Sequence, residues 1–290
     1  MNVVITGGSG YLGSHLVKAM LGLGWHITVL AQTGATRASL DAVQKLIVIV
    51  DADDVSRVFA SLGDVDIVVH AATCYGRNGE PASAIMAANM LFPQQVLECA
   101  AAHGAKLFCN TDTALSRHVN LYSLSKKQFL DWLILQAHND KIHAVNLVLD
   151  QFYGPGESGD KFVTWIVRQC LNGGEIPLTI GTQRRRFLFI DDLVEGYLKA
   201  IQSAWKSGDA FQEYGIASES EYAIRAICKK VHDMTNSSAS MNFGAIPLRN
   251  QEMDEKSIDI SRMRTLGWRE HISLEEGLAA VIQYEKGASH

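Results

Sequence analysis

A tyrosine and a lysine four residues apart, Tyr122 and Lys126, have the types and spacing of an acid–base pair. On a helix, this spacing places both side chains on one face, one turn apart. A neighbouring ammonium is expected to lower the pKa of the phenol from about 10 towards neutrality. Such a phenol exchanges a proton with a carbinol or carbonyl oxygen. The same spacing also occurs where the tyrosine only packs on an amphipathic helix. The surrounding elements must therefore decide between a catalytic and a packing role.

The element before this pair favours catalysis. Residues 106–109 form a predicted strand, and the polar run Asn110-Thr111-Asp112-Thr113 leaves its C-terminal end. In open α/β sheets, ligands bind beyond the carboxyl ends of the strands. Thr111, eleven residues before Tyr122, is therefore expected at the edge of the sheet where a reaction takes place.

The start of the chain contains a candidate nucleotide-binding turn. Residues 2–5 are mostly apolar and β-branched, as in a buried strand, and residues 14–23 have a helical pattern. Between them, Gly7 permits a tight turn, Gly10 lets the backbone approach a pyrophosphate, and Gly13 lets helix and strand pack closely. The N–H groups at the helix start favour the anion. The flanking strand and helix favour this interpretation over an ordinary glycine turn.

Alternating strands and helices predict the fold class. Each predicted strand is followed by a helical segment, which is the pattern of a parallel sheet covered by helices. We therefore predict an α/β fold with a Rossmann doubly wound parallel sheet. His70, which follows the fourth strand, is expected to be a packed core histidine. The further strands are predicted at residues 26–30, 45–50, 65–69 and 142–149.

Composition limits the possible partners. The chain has 290 residues, of which 47% are hydrophobic and 20% charged, as in globular proteins. A net charge of −5 argues against nucleic-acid binding, and no apolar run reaches the roughly 20 residues of a membrane span. Five cysteines without Cys-x-x-Cys spacing indicate reduced thiols in a cytoplasmic protein. No metal is expected, because Asp191-Asp192 is interpreted as a helix cap.

The end of the second strand bears on cofactor choice. Enzymes that prefer NAD commonly carry an acidic residue there, which binds the ribose 2′-hydroxyl. This chain has Ala31-Gln32 instead, and Arg37 follows a few residues later. The missing carboxylate predicts NADP(H) rather than NAD(H). Arg37 either binds the 2′-phosphate through its planar fork or is a solvated loop charge.

The Gly-x-x-Gly-x-x-Gly spacing and the Tyr-x-x-x-Lys pair together resemble the nucleotide-sugar branch of the extended short-chain dehydrogenase/reductases, the NAD-dependent epimerase/dehydratase family. The resemblance covers almost the whole chain. It implies a Rossmann domain at residues 1–154 and a smaller substrate-binding lobe at residues 155–290, of which about 187–216 return to the main domain. Together with the glycine turn, it implies cofactor contacts from Gly7, Gly10, Tyr11, Leu12, Gly13, Arg37, Asp51, Ala52, Ala71, Ala72, Tyr122, Lys126 and Leu149.

The resemblance also implies roles for individual residues. Tyr122 and Lys126 would be catalytic, with Thr111 bonded to the same substrate oxygen, and Lys126 would also hold the nicotinamide ribose. Asp51 contacts the adenine in this scheme, although it can also be a cap or turn residue. Asn89 matches a structural asparagine that ties neighbouring strands. The substrate would be bound by Thr111, Gln151, Arg185 and Arg249, although a triple arginine such as Arg184-Arg185-Arg186 is often only a solvated surface.

Members of this family catalyse 4-epimerisation, 4,6-dehydration, decarboxylation or ketone reduction. Dehydration needs an Asp-Glu pair after the threonine, and this chain has Asp112-Thr113. The stretch around Thr111 and Tyr122 looks most like the CDP-abequose and CDP-paratose synthases. This likeness implies NADPH-dependent reduction of the 4-keto group of a nucleotide-diphosphate 6-deoxy or 3,6-dideoxy sugar, for O-antigen or other surface lipopolysaccharide synthesis.

Two other functions stay open at this point. One is an NDP-sugar 4-epimerase with tightly bound NAD, and the other is a non-catalytic NADP-sensing regulator. The regulator would normally lack an intact Tyr-x-x-x-Lys. The resemblance further implies a homodimer formed through the helices at residues 81–103 and 122–138.

Overall fold

The computed structural model describes residues 1–31, 38–51, 54–139, 141–247 and 258–288. The chain divides into two compact units. The first comprises Met1–Leu149, Val194–Ile216 and Lys256–Trp268, and the second comprises Asp150–Leu193, Ala217–Glu255 and Arg269–His290. The Rossmann sheet belongs to the first unit.

The first half of the chain alternates strands and helices. Its elements are β1 (Asn2–Thr6), α1 (Tyr11–Gly22), β2 (His26–Ala31), a 3₁₀ helix (Ala38–Leu46), β3 (Ile47–Asp51), α2 (Val55–Ser61), β4 (Ile67–His70), α3 (Ala82–Met86), a π-helical turn (Ala87–Leu91), α4 (Phe92–Ala102), β5 (Leu107–Thr113), α5 (Leu121–His138) and β6 (His143–Leu149).

The second half contains shorter strands. Its elements are β7 (Phe152–Tyr153), α6 (Phe162–Asn172), β8 (Glu175–Leu178), β9 (Arg184–Arg186), β10 (Leu188–Phe189), α7 (Ile190–Ser207), β11 (Phe211–Ile216), β12 (Glu221–Ala223), α8 (Ile224–Thr235), β13 (Ser240–Phe243), α9 (Ser261–Thr265) and α10 (Leu274–Ala288).

The first unit is built on one parallel sheet with the strand order β11-β6-β5-β4-β1-β2-β3. The order reverses at β1, which pairs with both β2 and β4, and this reversal defines a doubly wound sheet. Its central strands β1 and β4 are buried except at Asn2, because helices cover both faces of a parallel sheet. The predicted α/β Rossmann class is confirmed.

β5 is longer than the sequence pattern predicts. The strand continues through Asn110 to Thr113, because β6 pairs with every residue of this polar run and β4 pairs with Asn110. Asn110, Asp112 and Thr113 are all buried. The segment predicted as an exit loop is therefore part of the sheet.

The described residues of the second unit form three two-stranded sheets, β7 with β10, β9 with β12, and β8 with β13. Asp192 is almost fully buried there, and its carboxylate accepts the backbone N–H groups of His271 and Ile272 at 3.0 and 2.9 Å. Asp192 therefore anchors a later segment of the chain, which corrects its interpretation as a helix cap.

All five cysteines are free thiols. Among the helices of the described residues, none is both long and apolar enough to cross a membrane.

Candidate active site

The glycine turn between β1 and α1 is as tight as its spacing predicts. Gly7 has a φ of +69°, and a Cβ there would lie 2.5 Å from the backbone nitrogen of Ala72. A Cβ on Gly13 would overlap the carbonyl of Gly7. The N–H of Gly10 donates to the Gly7 carbonyl at 3.0 Å, and Gly10 precedes the first turn of α1 without a side chain to cap it. This cradle fits the pyrophosphate of a dinucleotide.

The end of β4 forms the other wall of this turn. The Thr6 hydroxyl lies 2.7 Å from His70 Nδ1 and accepts the N–H of Ala72 at 3.3 Å. The Ala71 N–H donates to the Thr6 carbonyl at 3.2 Å. Ala71 and Ala72 are thus held beside Gly7, and their small side chains suit a closely approaching ligand.

His70 is the packed core histidine that the sequence predicts. It is fully buried among the rings of Phe92, Phe108 and Phe129, with centroid distances of 6.0 to 6.2 Å. Burial holds the pKa of His70 well below its usual value, and the charge of Lys126 lowers it further. The ring is neutral at physiological pH.

A capping box starts α5 just before the predicted catalytic pair. Asn120 Oδ1 accepts the Ser123 N–H at 2.8 Å, and Ser123 Oγ accepts the Asn120 N–H at 3.2 Å. Tyr122 and Lys126 therefore lie in the first two turns of a well-defined helix, one turn apart. Lys126 is buried and Tyr122 is half-buried.

The threonine beside Tyr122 is Thr113. A side-chain hydrogen bond joins Thr113 to the Tyr122 phenol, whereas the Thr111 hydroxyl lies 2.8 Å from the phenol oxygen of Tyr197 on α7. The role of Thr111 at the substrate oxygen stays a prediction, and Thr113 is a second candidate for it. Residues 111 and 113 share a face of β5, but only the second lies at the end of the strand. The period-two alternation of a strand could have indicated Thr113.

The pKa of Tyr122 moves in the direction opposite to the prediction. Burial is the largest cause and raises it well above 10, and the Tyr75 phenol and the Asp112 carboxylate add to the increase. Burial also lowers the pKa of Lys126 to about 8. The same low-polarity surroundings therefore disfavour both charged forms, and the phenol keeps its proton at neutral pH.

Sequence reasoning missed two residues of the loop after β4. The Tyr75 ring packs against Tyr122 with a centroid distance of 5.0 Å, and the Arg77 guanidinium lies 5.1 Å from the centre of the Tyr75 ring. Arg77 lowers the pKa of Tyr122, against the larger effect of burial. The only signal in the sequence was that this loop leaves the same edge of the sheet as β5.

Asn89 holds this loop against α5. Its Oδ1 accepts the N–H of Cys74 at 2.8 Å, and its Nδ2 donates to the Cys74 carbonyl at 2.8 Å and to Ser125 Oγ at 3.0 Å. Asn89 is structural, as expected, but it joins a loop to a helix and does not tie two strands together.

Several predicted cofactor residues can be placed only in part. Ala31 ends β2 beside the backbone of Asp51 at the end of β3. Tyr11 and Leu12 begin α1, and Leu149 ends β6 in the core. The predicted residues Arg37, Ala52 and Arg249 lie outside the described residues.

Two predicted substrate residues, Gln151 and Arg185, belong to the second unit. Arg185 lies between two further arginines on β9. Arg184 and Arg186 both approach the Glu221 carboxylate, at 3.7 and 3.2 Å. Arg185, between them on β9, lies on the opposite face of the strand and donates to the Arg184 carbonyl at 2.8 Å. The Gln151 carbonyl accepts the N–H of Leu188 at 3.0 Å. The three arginines are therefore not equivalent.

The chain is similar to known proteins in sequence and in fold. A CDP-abequose synthase of Salmonella muenchen is 27% identical over 292 residues, which cover 98% of each chain. The structure of UDP-glucose 4-epimerase of Thermotoga maritima with UDP-glucose has a TM-score of 0.87 and 21% identity over all of both chains. That of Thermus thermophilus UDP-glucose 4-epimerase with NAD has a TM-score of 0.84 and 20% identity, over 99% of this chain and 100% of the other.

The two solved structures establish the likeness of the fold. A family model described as "NAD dependent epimerase/dehydratase family" matches residues 3–216. The match includes the glycine turn, the loop with Tyr75 and Arg77, and the helix with Tyr122 and Lys126. The chain belongs to the NAD dependent epimerase/dehydratase family, a branch of the extended short-chain dehydrogenase/reductases.

Proposed function

We propose that this protein is an NADPH-dependent reductase of the 4-keto group of a nucleotide-diphosphate sugar, of the 6-deoxy or 3,6-dideoxy class. The observation that carries the proposal is that Tyr122 and Lys126 lie one turn apart on α5, with Thr113 at the end of β5 bonded to Tyr122, in a sheet whose glycine turn fits a dinucleotide. The similarity to a CDP-abequose synthase supports the substrate class.

In the proposed mechanism, NADPH would supply the hydride when bound. Tyr122 gives its proton to the ketone oxygen, and its raised pKa keeps that proton in place at neutral pH. Thr113 donates its single hydroxyl proton to the ketone oxygen while Tyr122 is protonated, and to the Tyr122 oxygen once the phenolate has formed. Lys126 binds the nicotinamide ribose and stabilises the phenolate that forms when Tyr122 loses its proton. The pyrophosphate would be held by the glycine turn and by the residues after β4, namely Gly7, Gly10, Gly13, Ala71 and Ala72.

The cofactor assignment rests on the end of β2. Ala31 is buried there and offers no carboxylate to a ribose 2′-hydroxyl, which favours the 2′-phosphate of NADPH. Arg37 remains the proposed phosphate ligand. NAD is the alternative cofactor.

The burial and ion pairing of Asp112 argue against a dehydratase. Dehydration requires an acid that faces the sugar, but the Asp112 carboxylate is buried and lies 2.7 Å from Lys127 Nζ. The next residue is Thr113 and not a second acid. A simple reduction needs neither group, so it suits this site better.

Binding of the diphosphate is proposed for the second unit. Arg185 and Arg249 would bind the diphosphate through charge-assisted hydrogen bonds, and Gln151 would contact the sugar. Binding energy from these remote groups would hold the ketone in reacting position. We place the enzyme in the cytoplasm, where its product would enter the synthesis of surface polysaccharides.

A homodimer is proposed as the assembly. Exposed apolar side chains lie on α3, on the π-helical turn and on α5, which pack against one another. Those on α5 are spaced along one face of the helix. Contiguous apolar patches on helices mark interaction surfaces. The residues, each 50 to 58% exposed, are Met86, Leu91, Leu121, Trp132 and Leu135.

The function is tested by incubating the purified protein with NADPH and a panel of 4-keto nucleotide sugars, while nicotinamide absorbance is followed. The expected result is substrate-dependent loss of absorbance in the wild type and none in Tyr122→Phe, which should still bind NADPH. Protein that contains NAD after purification and interconverts sugars without added reductant would be a 4-epimerase. Binding of NADP without any turnover would indicate the regulator.

A further inference from the structure

Asp112 and Lys127 form an ion pair directly beside the proposed catalytic residues. Lys127 Nζ lies 2.7 Å from Asp112 Oδ2, and the Asp112 side chain is fully buried while that of Lys127 is 18% exposed. Burying two charges costs solvation free energy, and their attraction offsets that cost only with good geometry and further hydrogen bonds. The surroundings of the pair supply those bonds.

The pair holds both backbone groups of Thr113. Asp112 Oδ1 accepts the Thr113 N–H at 2.7 Å, and Lys127 Nζ donates to the Thr113 carbonyl at 2.8 Å. The Thr113 hydroxyl in turn accepts the Leu115 N–H at 3.2 Å. The last residue of β5 is therefore fixed at its nitrogen, its carbonyl and its side chain.

Hydrogen bonds that involve β6 and β11 hold the Asp112 side of the pair. Asn146 on β6 donates from Nδ2 to Asp112 Oδ2 at 3.1 Å and to Glu213 on β11 at 2.8 Å. Asn146 Oδ1 accepts a hydrogen bond from Asn110 at 2.7 Å. This arrangement ties the Asp112 carboxylate to β6 directly and to β11 through Asn146, so it cannot turn towards a ligand without leaving buried polar groups unpaired.

The two charges act in opposite directions on the neighbouring lysine. Asp112 raises the pKa of Lys126 and Lys127 lowers it. At Tyr122, the charged and titratable groups that act are Tyr75, Asp112 and Arg77. The two charges of the pair therefore oppose each other at Lys126, whereas at Tyr122 the Asp112 charge is the one that acts.

We propose that Asp112 and Lys127 are positioning residues of this active site, which hold Thr113 at the end of β5 and cancel each other's charge beside Lys126. This inference rests on the proposed function and extends it to two residues that contact neither cofactor nor sugar in the proposed mechanism.

The test uses Asp112→Asn, Lys127→Met and the double variant, with Asp131→Asn as the control. Asp131 lies on α5 like Lys127 and pairs with Arg117 at 2.8 Å, but that pair is exposed. We expect kcat for the ketone to fall on the order of 10²-fold in each of the three variants with NADPH affinity unchanged, because misplacing a reacting group costs about that much. The control should keep its kcat.

A second measurement does not depend on turnover. The pKa of Lys126 is followed by NMR on protein labelled with ¹³C at lysine Cε, and the signal is assigned by its loss in Lys126→Met. We expect Asp112→Asn to shift this pKa below its value of about 8, Lys127→Met to shift it above, and the double variant to restore it. A role limited to folding would not produce opposite shifts.

The outcomes separate the two proposals. A wild type without ketone reduction removes the proposed function, while the lysine titration still tests the charge balance. An active wild type whose variants keep their kcat, or whose Lys126 pKa moves in neither direction, overturns the positioning role. Removing one partner of a buried ion pair is destabilising, so the single variants are the ones at risk of not folding. In that case the double variant decides, and a wild-type kcat in the double variant overturns the proposal.

Discussion

The Tyr75 ring lies against the Tyr122 ring with 5.0 Å between centroids, and the Arg77 guanidinium lies 5.1 Å from the centroid of the Tyr75 ring. A loop that sequence patterns left without a role thus contributes an aromatic wall and a cation to the proposed acid. The cation matters because a phenol that donates its proton leaves a phenolate, and a nearby positive charge stabilises it.

Replacing Arg77 with Gln is expected to slow ketone reduction. The phenolate of Tyr122 loses a stabilising charge, so the pKa of Tyr122 rises. Each pKa unit corresponds to a change of about tenfold in the ionisation constant of the phenol. Arg77 is exposed, so salt should screen its effect, and the difference from wild type should shrink towards 1 M salt, where the Debye length is about 3 Å. Arg77→Lys, measured in parallel, should retain most of the rate. A salt-independent defect shared by both variants would point to lost contacts instead of lost charge.

Thr113→Ala and Thr111→Val should separate catalysis from stability. Thr113→Ala removes the hydrogen bond at Tyr122, and loss of one such group costs on the order of 10²-fold in kcat. Thr111→Val removes the hydroxyl that lies 2.8 Å from the Tyr197 phenol oxygen, so a buried phenol loses a partner at about 1–3 kcal/mol of unfolding free energy. Steady-state kinetics and denaturant unfolding measure the two effects. The reverse pattern would favour Thr111 as the catalytic threonine.

Gly13→Ala should abolish NADPH binding. Its Cβ would overlap the Gly7 carbonyl and force apart the turn that forms the phosphate cradle. Gly22→Ala is the matched control, because Gly22 ends the same helix and a Cβ there meets no atom within 4 Å. NADPH fluorescence titration reports affinity, and thermal unfolding reports folding. Equal affinity in the two variants would show that the cradle does not hold the cofactor.

Stability should fall as the pH drops below about 6.5, because of His70. The folded state keeps this histidine neutral, with a pKa well below the unperturbed value, whereas the unfolded chain takes up a proton near pH 6.5. The group therefore stabilises the fold above that pH, and its contribution declines by at most about 1.4 kcal/mol per pH unit until the folded pKa is reached. Urea unfolding between about pH 7.5 and 5.5 tests this. His70→Asn should have a flatter profile, and an unchanged slope would exclude His70 as the cause.

Trp132→Glu should convert the proposed dimer to a monomer. The side chain is 54% exposed on the apolar face of α5, and a carboxylate there would have to be buried without a partner on association. Light scattering after size exclusion measures the mass. Tyr284→Glu is a control on an exposed aromatic of α10, 48% exposed, and should leave the mass unchanged. A monomeric wild type would remove the dimer.

The sequence by itself determined the class of the fold, the glycine turn and the helix that carries Tyr122 and Lys126. These features depend on short-range patterns: runs of buried apolar residues, three glycines between a strand and a helix, and a four-residue spacing on one helix face. The family resemblance rests on the same local motifs. Even the core position of His70 followed from its place at the end of a buried strand.

Only the tertiary structure decided how the site is assembled. Which threonine meets Tyr122 depends on how far β5 pairs with its neighbours, and the fate of the Asp112 charge depends on Lys127 and Asn146 from two other elements. The direction of the Tyr122 pKa was decided by burial, which outweighs nearby charges. Each of these rests on contacts between residues distant in sequence or on the exclusion of water, and neither is encoded in a local pattern.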